Sequence, residues 1–237
     1  MLFRWTAFLA LLFAVPGLGL SAEAVFSGGG GRVWLKVSQP GCLGYIDLDD
    51  HEGSTATDRM VGLDAMGGPA EVRGVDVSKK GNVLLLSSDA VWAFDTKAEK
   101  TVRVAALPAA FVPEDLAYQE TTGGVLVWGS FVREDATVDR SAAYWIARGS
   151  DKPEPVLIEG IAGWQTASFD SAGHLYLGRG PDLWGGVLIA TEHEKAADFE
   201  WQIRAFRIAA LGTPVAGEGA NAGALIHSIG AGGGASS

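Results

Sequence analysis

Arg73, Glu114 and Gln165 are the residues whose types and spacing speak most directly of chemistry. Each stands at the same place in a repeated unit, near the start of a short strand-like segment ("VRGVDVS", "PEDLAYQ" and "WQTASFD"), and Asp115 and Trp164 flank them. A guanidinium, two carboxylates, an amide and an indole gathered in one place can bind a polar ligand by charge-assisted hydrogen bonds and stacking. The same side chains can instead tie neighbouring units together, as ordinary surface ion pairs do. The sequence leaves both readings open.

The remaining clusters point away from known catalytic designs. Residues 47–53, "DLDDHEG", are the densest acidic run. Counted from Asp47, an EF-hand loop needs glycine sixth and glutamate twelfth, and Glu52 and Asp58 stand there instead. A solvated hairpin turn is the better reading. Cys42 is the only cysteine, which excludes an intramolecular disulfide and multi-cysteine zinc, and it reads as a buried or hairpin residue. "SGGGGR" lacks the Lys-Ser/Thr of a phosphate loop. "GEGANAG" places Gly217, Gly219 and Ala222 at dinucleotide-motif spacing, yet no βαβ unit surrounds them. Glu192, His193 and Glu194 are adjacent, so on a strand they point apart. No nucleophile elbow and no H-E-x-x-H helix is present. His174 directly follows Gly173, and the equivalent places elsewhere hold Arg32, Asn82 and Gly124. The repeat therefore requires no imidazole there, and His174 reads as part of a turn.

Those residues need elements to hold them. Four segments share a turn glycine followed by a strand: "GGRVWLKV", "KKGNVLLLSS", "TTGGVLVWGS" and "SAGHLYLGRG". The glycines are Gly31, Gly81, Gly123 and Gly173, spaced 50, 42 and 50 residues apart. A second strand follows each ("GYIDLDD", "AVWAFDTK", "AAYWIARG", "GVLIATEH"), and a third follows in most units ("TVRVAALP", "EPVLIEG", "WQIRAFRIA"). With the strand ahead of the glycine, each unit has four short antiparallel strands, the size of one propeller blade. One such meander cannot bury both of its faces, but a stack of them can. Trp92, Trp145 and Trp184 are expected between the blades. The fold predicted is an all-β, β-propeller-like array of about four or five blades, either complete or, as a further alternative, incomplete and an inactive fragment of a larger propeller protein. The first unit begins at its second strand, so the stretch "AALGTPVAGEGANAGALIHSIG" either supplies the missing inner strand or opens a fifth blade at Gly223.

The ends and the charge bound the setting. Residues 1–24 resemble a secretory leader: Arg4, an apolar run from Phe8 to Val15, then Ala22 and Ala24 in a small-x-small pattern. Cleavage is expected after Ala24, giving a secreted or periplasmic protein with no stable membrane insertion. Residues 25–230 then form the propeller domain and residues 231–237 a Gly/Ser tail. The net charge of −10 and the lack of a basic stripe argue against nucleic acid as a partner. A small polar ligand or a protein is the partner expected.

The cadence of turn, glycine, strand and then an acidic turn resembles the blades of secreted NHL-type and gluconolactonase/regucalcin-like propellers. "PEDLAY…TTGGVLV" is especially similar to their common blade opening, and the resemblance covers about residues 31–211. Because no nucleophile–base pair or metal triad emerges from the residues, the function expected is a ligand- or protein-binding scaffold that uses one propeller face. The resemblance implies an alternative, a hydrolase of the lactonase kind that holds a divalent metal such as calcium at the channel mouth. Glu114 is then the best metal ligand, with Arg73 orienting a substrate carboxylate. The asparagines that such sites use are represented only by Asn82, in a turn, and Asn221, in the tail.

Overall fold

The computed structural model of the 237-residue chain describes residues 22–26, 32–37, 39–47, 60–132, 138–191 and 198–210. Among them every regular element is a strand, apart from a 3-10 turn at Asp64–Met66. No helix among the described residues is long and apolar enough to cross a membrane.

Among the described residues, sixteen strands form four antiparallel meanders in chain order. The first comprises β1 (Ala22–Phe26), β2 (Arg32–Val37), β3 (Cys42–Asp47) and β4 (Met60–Gly62). The second comprises β5 (Gly74–Val77), β6 (Val83–Leu86), β7 (Ala90–Asp95) and β8 (Lys100–Ala106). The third is β9 (Phe111–Gln119), β10 (Gly124–Val132), β11 (Val138–Ile146) and β12 (Glu154–Glu159), and the fourth is β13 (Thr166–Phe169), β14 (Leu175–Arg179), β15 (Asp182–Ala190) and β16 (Trp201–Ala210). The all-β, propeller-like array of four-stranded blades is thus the architecture found.

Two features depart from the expected arrangement. The first blade has its own inner strand, β1, paired from Ala22 opposite Val37 to Phe26 opposite Val33. It lies ahead of the point at which the sequence repeat becomes visible. It also spans the expected leader cleavage after Ala24; a cut there would leave Val25 and Phe26 opposite Trp34 and Val33. The C-terminal stretch, expected either to fill this place or to open a fifth blade at Gly223, lies outside the described residues. Secondly, blades three and four share one eight-stranded sheet. Their outer strands β12 and β16 pair in parallel, from Val156 opposite Trp201 to Glu159 opposite Arg204.

The blades stack because their central strands are apolar on both faces. Val83–Leu86 is buried throughout. Val83 and Leu85 enter a core with Trp34, Leu43, Leu63 and Phe94, between blades one and two. Leu84 and Leu86 point the other way, into a core with Phe111, Leu116, Val125 and Val127. In β10 the division repeats: Val125 and Val127 serve that second core, while Leu126 and Trp128 serve a third. Alternation along a strand sends neighbouring side chains to opposite faces, so a continuous apolar run is what a blade with two neighbours requires. The third core, between blades three and four, is rich in aromatics. Trp128, Trp145, Trp164 and Phe169 are buried in it, and Trp184 and Trp201 pack against it. Trp145 meets Trp201 with ring centroids 5.7 Å apart and Phe169 at 6.3 Å. Trp92 is half-buried against the first core and donates its indole N–H to Ser87 Oγ at 3.2 Å.

The turns between inner and second strands explain the glycine period. Gly81, Gly123 and Gly173 have φ of +82°, +74° and +90°, a region that costs a Cβ-bearing residue energy. Around each glycine a side chain at the end of the inner strand closes the loop. Asn82 N–H donates to Ser78 Oγ at 3.1 Å, and His174 N–H donates to Asp170 Oδ1 at 2.8 Å. In the middle unit, which has one residue more, Thr122 Oγ1 bridges Gly124 N–H and Gln119 Oε1.

Candidate functional site

The inner strands β1, β5, β9 and β13 succeed one another around the array, and polar groups stitch them together. Lys36 Nζ donates to the Arg73 carbonyl at 2.8 Å, joining blade one to blade two. Asp76 Oδ2 accepts the Tyr118 N–H at 2.7 Å, joining blades two and three. Gln119 Nε2 donates to the Gly173 carbonyl at 3.0 Å, joining three and four. Such cross-strand contacts fix which residues share a level. Gly74 lies directly against Asp115, where an added Cβ would come 2.3 Å from Asp115 Oδ1.

The leading residues of these strands form the candidate site. Arg73 is half-buried; its Nε lies 3.4 Å from Glu71 Oε1, and its Nη1 donates to the Pro113 carbonyl at 3.4 Å. Its guanidinium therefore reaches the start of the neighbouring inner strand, one residue from Glu114. Glu114 is exposed, and its Oε1 accepts a hydrogen bond from the hydroxyl of Ser130 at 2.8 Å. Ser130 is buried, so the carboxylate is anchored on one oxygen while the residue stays accessible. Asp115 is half-buried, and its Oδ1 accepts the N–H of Leu116 at 2.9 Å. Arg73, Glu114 and Asp115 are thus brought to one place at the blade-two/blade-three boundary.

Gln165 and Trp164 sit on the next blade. Gln165 is exposed and its Oε1 accepts the Gly180 N–H at 2.8 Å, which closes the end of the β13–β14 hairpin. Trp164 is only 4% exposed and belongs to the core between blades three and four. Its indole N–H has no partner among the described residues, nor have those of Trp128 and Trp184. It underlies the surface near Gln165 and offers no face for ligand stacking in this conformation.

A hard divalent cation needs six or more oxygen ligands, several of them carboxylates. Around Glu114 that set is not assembled: one of its oxygens is engaged by Ser130, and no three His, Cys, Asp or Glu side chains among the described residues gather into a metal-binding group. Of the acidic run 47–53, Asp47 ends β3 with Arg32 Nε 3.4 Å from its Oδ2; the rest lies outside the described residues, as do Glu192, His193 and Glu194. Cys42 is a free, half-buried thiol at the start of β3.

The residue that sequence reasoning passed over is Asp76. It is a lone carboxylate in the otherwise apolar β5, and its two oxygens accept the N–H groups of Val77 and Tyr118, both at 2.7 Å. Burial pushes its pKa up to about 6, against the lowering effect of those two hydrogen bonds and with help from nearby Glu120. The signal was present in "VRGVDVS", where an acid interrupts an inner strand. His174 is 63% exposed, and its Nδ1 lies 2.9 Å from Asp170 Oδ2. Partial burial would raise the Asp170 carboxyl, but hydrogen bonds from the His174 ring and from the His174 and Ala172 N–H groups outweigh it and hold the pKa below the usual range.

No known protein family and no curated protein matches this sequence. The NHL and gluconolactonase likeness therefore stays architectural. Solved structures do match. The chain is similar to hydrazine synthase of Kuenenia stuttgartiensis, with a TM-score of 0.52 and 10% identity over 82% of this chain and 52% of that one. It also aligns with the extracellular domain of a one-component system from B. thetaiotaomicron, at a TM-score of 0.45 and 12% identity over 68% of this chain and 20% of that one. The chain thus spans about half of the hydrazine synthase chain and a fifth of the other. The first likeness supports the propeller-like fold.

Proposed function

We propose that this chain is an exported propeller-like scaffold that binds a polar ligand or protein segment at the leading ends of its inner strands. The contact residues are Arg73, Glu114, Asp115 and Gln165, with Trp164 supporting the surface from beneath. The observation that carries the reading is the placement of Arg73, Glu114 and Asp115 together at one blade boundary. There an exposed carboxylate is pre-positioned by a buried hydroxyl. An anchored acceptor on the strand whose Pro113 carbonyl the Arg73 guanidinium touches is suited to a polar ligand that presents a cationic or hydroxylic donor. The leader-like N-terminus supports export.

The test is a thermal-shift panel of amino acids, sugar acids, oligosaccharides and short zwitterionic peptides. A ligand held at a hundred times its dissociation constant stabilises the folded state by about 2.7 kcal/mol. A compound acting at this face raises the melting temperature of the wild type, and Glu114→Ala and Gln165→Ala each abolish that rise. A rise that survives both substitutions places the binding elsewhere and rejects the reading.

A further inference from the structure

Three of the chain's eight tryptophans, Trp128, Trp164 and Trp184, keep an enclosed indole N–H with no acceptor among the described residues. Roughly nine in ten or more of the buried polar groups in folded proteins have a partner, so three exceptions in one core ask for a cause. All three belong to the core between blades three and four: Trp128 is 2% exposed and Trp164 4%, and Trp184 packs against it. Strand register puts them at the same end of that seam, where β9 and β13 begin. Trp128 stands opposite Asp115 of β9 and Ala143 of β11. Trp184 stands opposite Leu177, which stands opposite Ala167, the second residue of β13. Trp164 precedes Gln165, whose N–H donates to the Gly178 carbonyl at 2.8 Å. The far end of the seam is filled by Trp145, Phe169 and Trp201, and there the Trp201 indole N–H donates to Glu154 Oε2 at 2.6 Å. The unpaired donors are therefore gathered at the end that carries Glu114, Asp115 and Gln165.

We propose that this leading end of the seam takes up an uncharged oxygen acceptor of a ligand, an amide carbonyl or a hydroxyl, on the indole N–H groups of Trp128, Trp164 and Trp184. The inference rests on the binding reading above and names the ligand class for it. An indole N–H donates and cannot accept, so donors without a protein partner select an acceptor group. The acceptor is uncharged for two reasons. The core holds no Lys or Arg to balance an anion. The exposed Glu114 and the half-buried Asp115 at the same end would repel a carboxylate or phosphate. Glu114, with Oε1 held by Ser130, takes a hydroxyl donor of the same ligand. Gln165 spends its Oε1 on the Gly180 N–H, which leaves its amide N–H groups as the donors it can offer. Entry is past Gln165, which is exposed and adjoins Trp164 in the chain. The ligand class is thus an uncharged molecule that carries hydroxyls beside an amide carbonyl or further hydroxyls.

Nitrogen-15 NMR of the indole N–H groups in the full chain tests this, with glycolamide as the probe, because it joins a hydroxyl to an uncharged carbonyl. The signals of Trp128, Trp164 and Trp184, assigned from single phenylalanine substitutions, are expected to move downfield together on one binding curve. Trp92 and Trp201, whose N–H groups are taken by Ser87 and Glu154, should stay in place. Glycolate, the same molecule with a charged carboxylate, should bind at least about tenfold more weakly. Trp128→Phe and Trp164→Phe should each weaken glycolamide about two- to tenfold, with unshifted Trp92 and Trp201 signals showing that the variants are folded. The wild-type titration decides even where a variant fails to fold. If the three signals move no more than those of Trp92 and Trp201, or if glycolate binds as well as glycolamide, the proposal is wrong. It is equally wrong if a long-lived water stays in contact with the three indoles at saturating glycolamide, since water alone is then their acceptor. Should a compound from the thermal-shift panel lose its effect in Glu114→Ala while the three indole signals stay still, the binding reading stands and this inference alone falls.

Discussion

Replacing Asp76 by asparagine should remove a pH dependence of stability that the fold builds into one inter-blade joint. The carboxyl sits between β5 and β9, and its pKa rises from 3.8 to about 6 on folding. A raised carboxyl favours the folded state most when protonated. Well below the unfolded value of 3.8, at about pH 3, the group is neutral in both states, and its full contribution is present. As pH climbs toward 6 the unfolded chain ionises first, and stability falls; above 6 the loss is complete. A shift of about two units corresponds to about 3 kcal/mol, or roughly 6–12 °C of melting temperature for a domain of this size. Asparagine has one acceptor oxygen where Asp76 uses two, so the variant also loses one hydrogen bond, to Val77 or Tyr118. That loss is the same at every pH. Urea denaturation of both proteins from pH 4 to pH 7.5 separates the two effects, because the difference between their profiles contains only the titration. The wild type should lose about 2–2.5 kcal/mol relative to the variant across that range, the rest of the 3 kcal/mol lying below pH 4. Parallel profiles, or a wild type that gains on the variant as pH rises, would refute the reasoning.

Two further predictions address packing and turns. Gly124→Ala places a methyl 2.0 Å from Trp145 Cζ2, a buried ring in the aromatic core, and should cost about 1–3 kcal/mol or more in denaturant unfolding. Asp170→Ala removes the acceptor for Ala172 N–H and His174 N–H as well as the imidazole's partner. It should cost about 1–2 kcal/mol at pH 7, whereas His174→Ala leaves the backbone turn intact and should cost a few tenths at most. Equal losses in the two variants would mean that the ring, and not the carboxylate, closes the loop.

The parts of the fold written in local pattern were legible in the sequence. The apolar run of β6 and the alternation of β8 declared themselves, and so did the glycines after the inner strands, because each depends on residues within a few positions. Gly81, Gly123 and Gly173 do adopt the left-handed conformation that the repeat implied. The inner strand β1 was hidden because an alanine-rich segment after a leader-like run looks the same whether or not it pairs. The parallel joint between β12 and β16 was hidden for a different reason: neither strand carries a local mark of a partner more than forty residues away. At the candidate site, alignment put Arg73, Glu114 and Gln165 at equivalent places in their units, with Asp115 and Trp164 beside them. It could not see that Ser130 would anchor Glu114, or that Trp164 would turn inward. Those depend on which face of a strand meets the next blade.

The parallel pairing of β12 with β16 gives the array unequal seams. Blades one and two, and blades two and three, meet chiefly through side chains, reinforced by polar contacts of Lys36, Arg73, Asp76 and Glu120. Blades three and four share an aromatic core and also a backbone ladder four residue pairs long. Under a pulling force or partial denaturation the molecule should behave like a book with two leaves glued together. The first two blades can hinge or peel away one at a time, while the last two turn as a single page. Slow opening of the chain would therefore begin at its amino-terminal side, leaving the double blade as the last part to come apart.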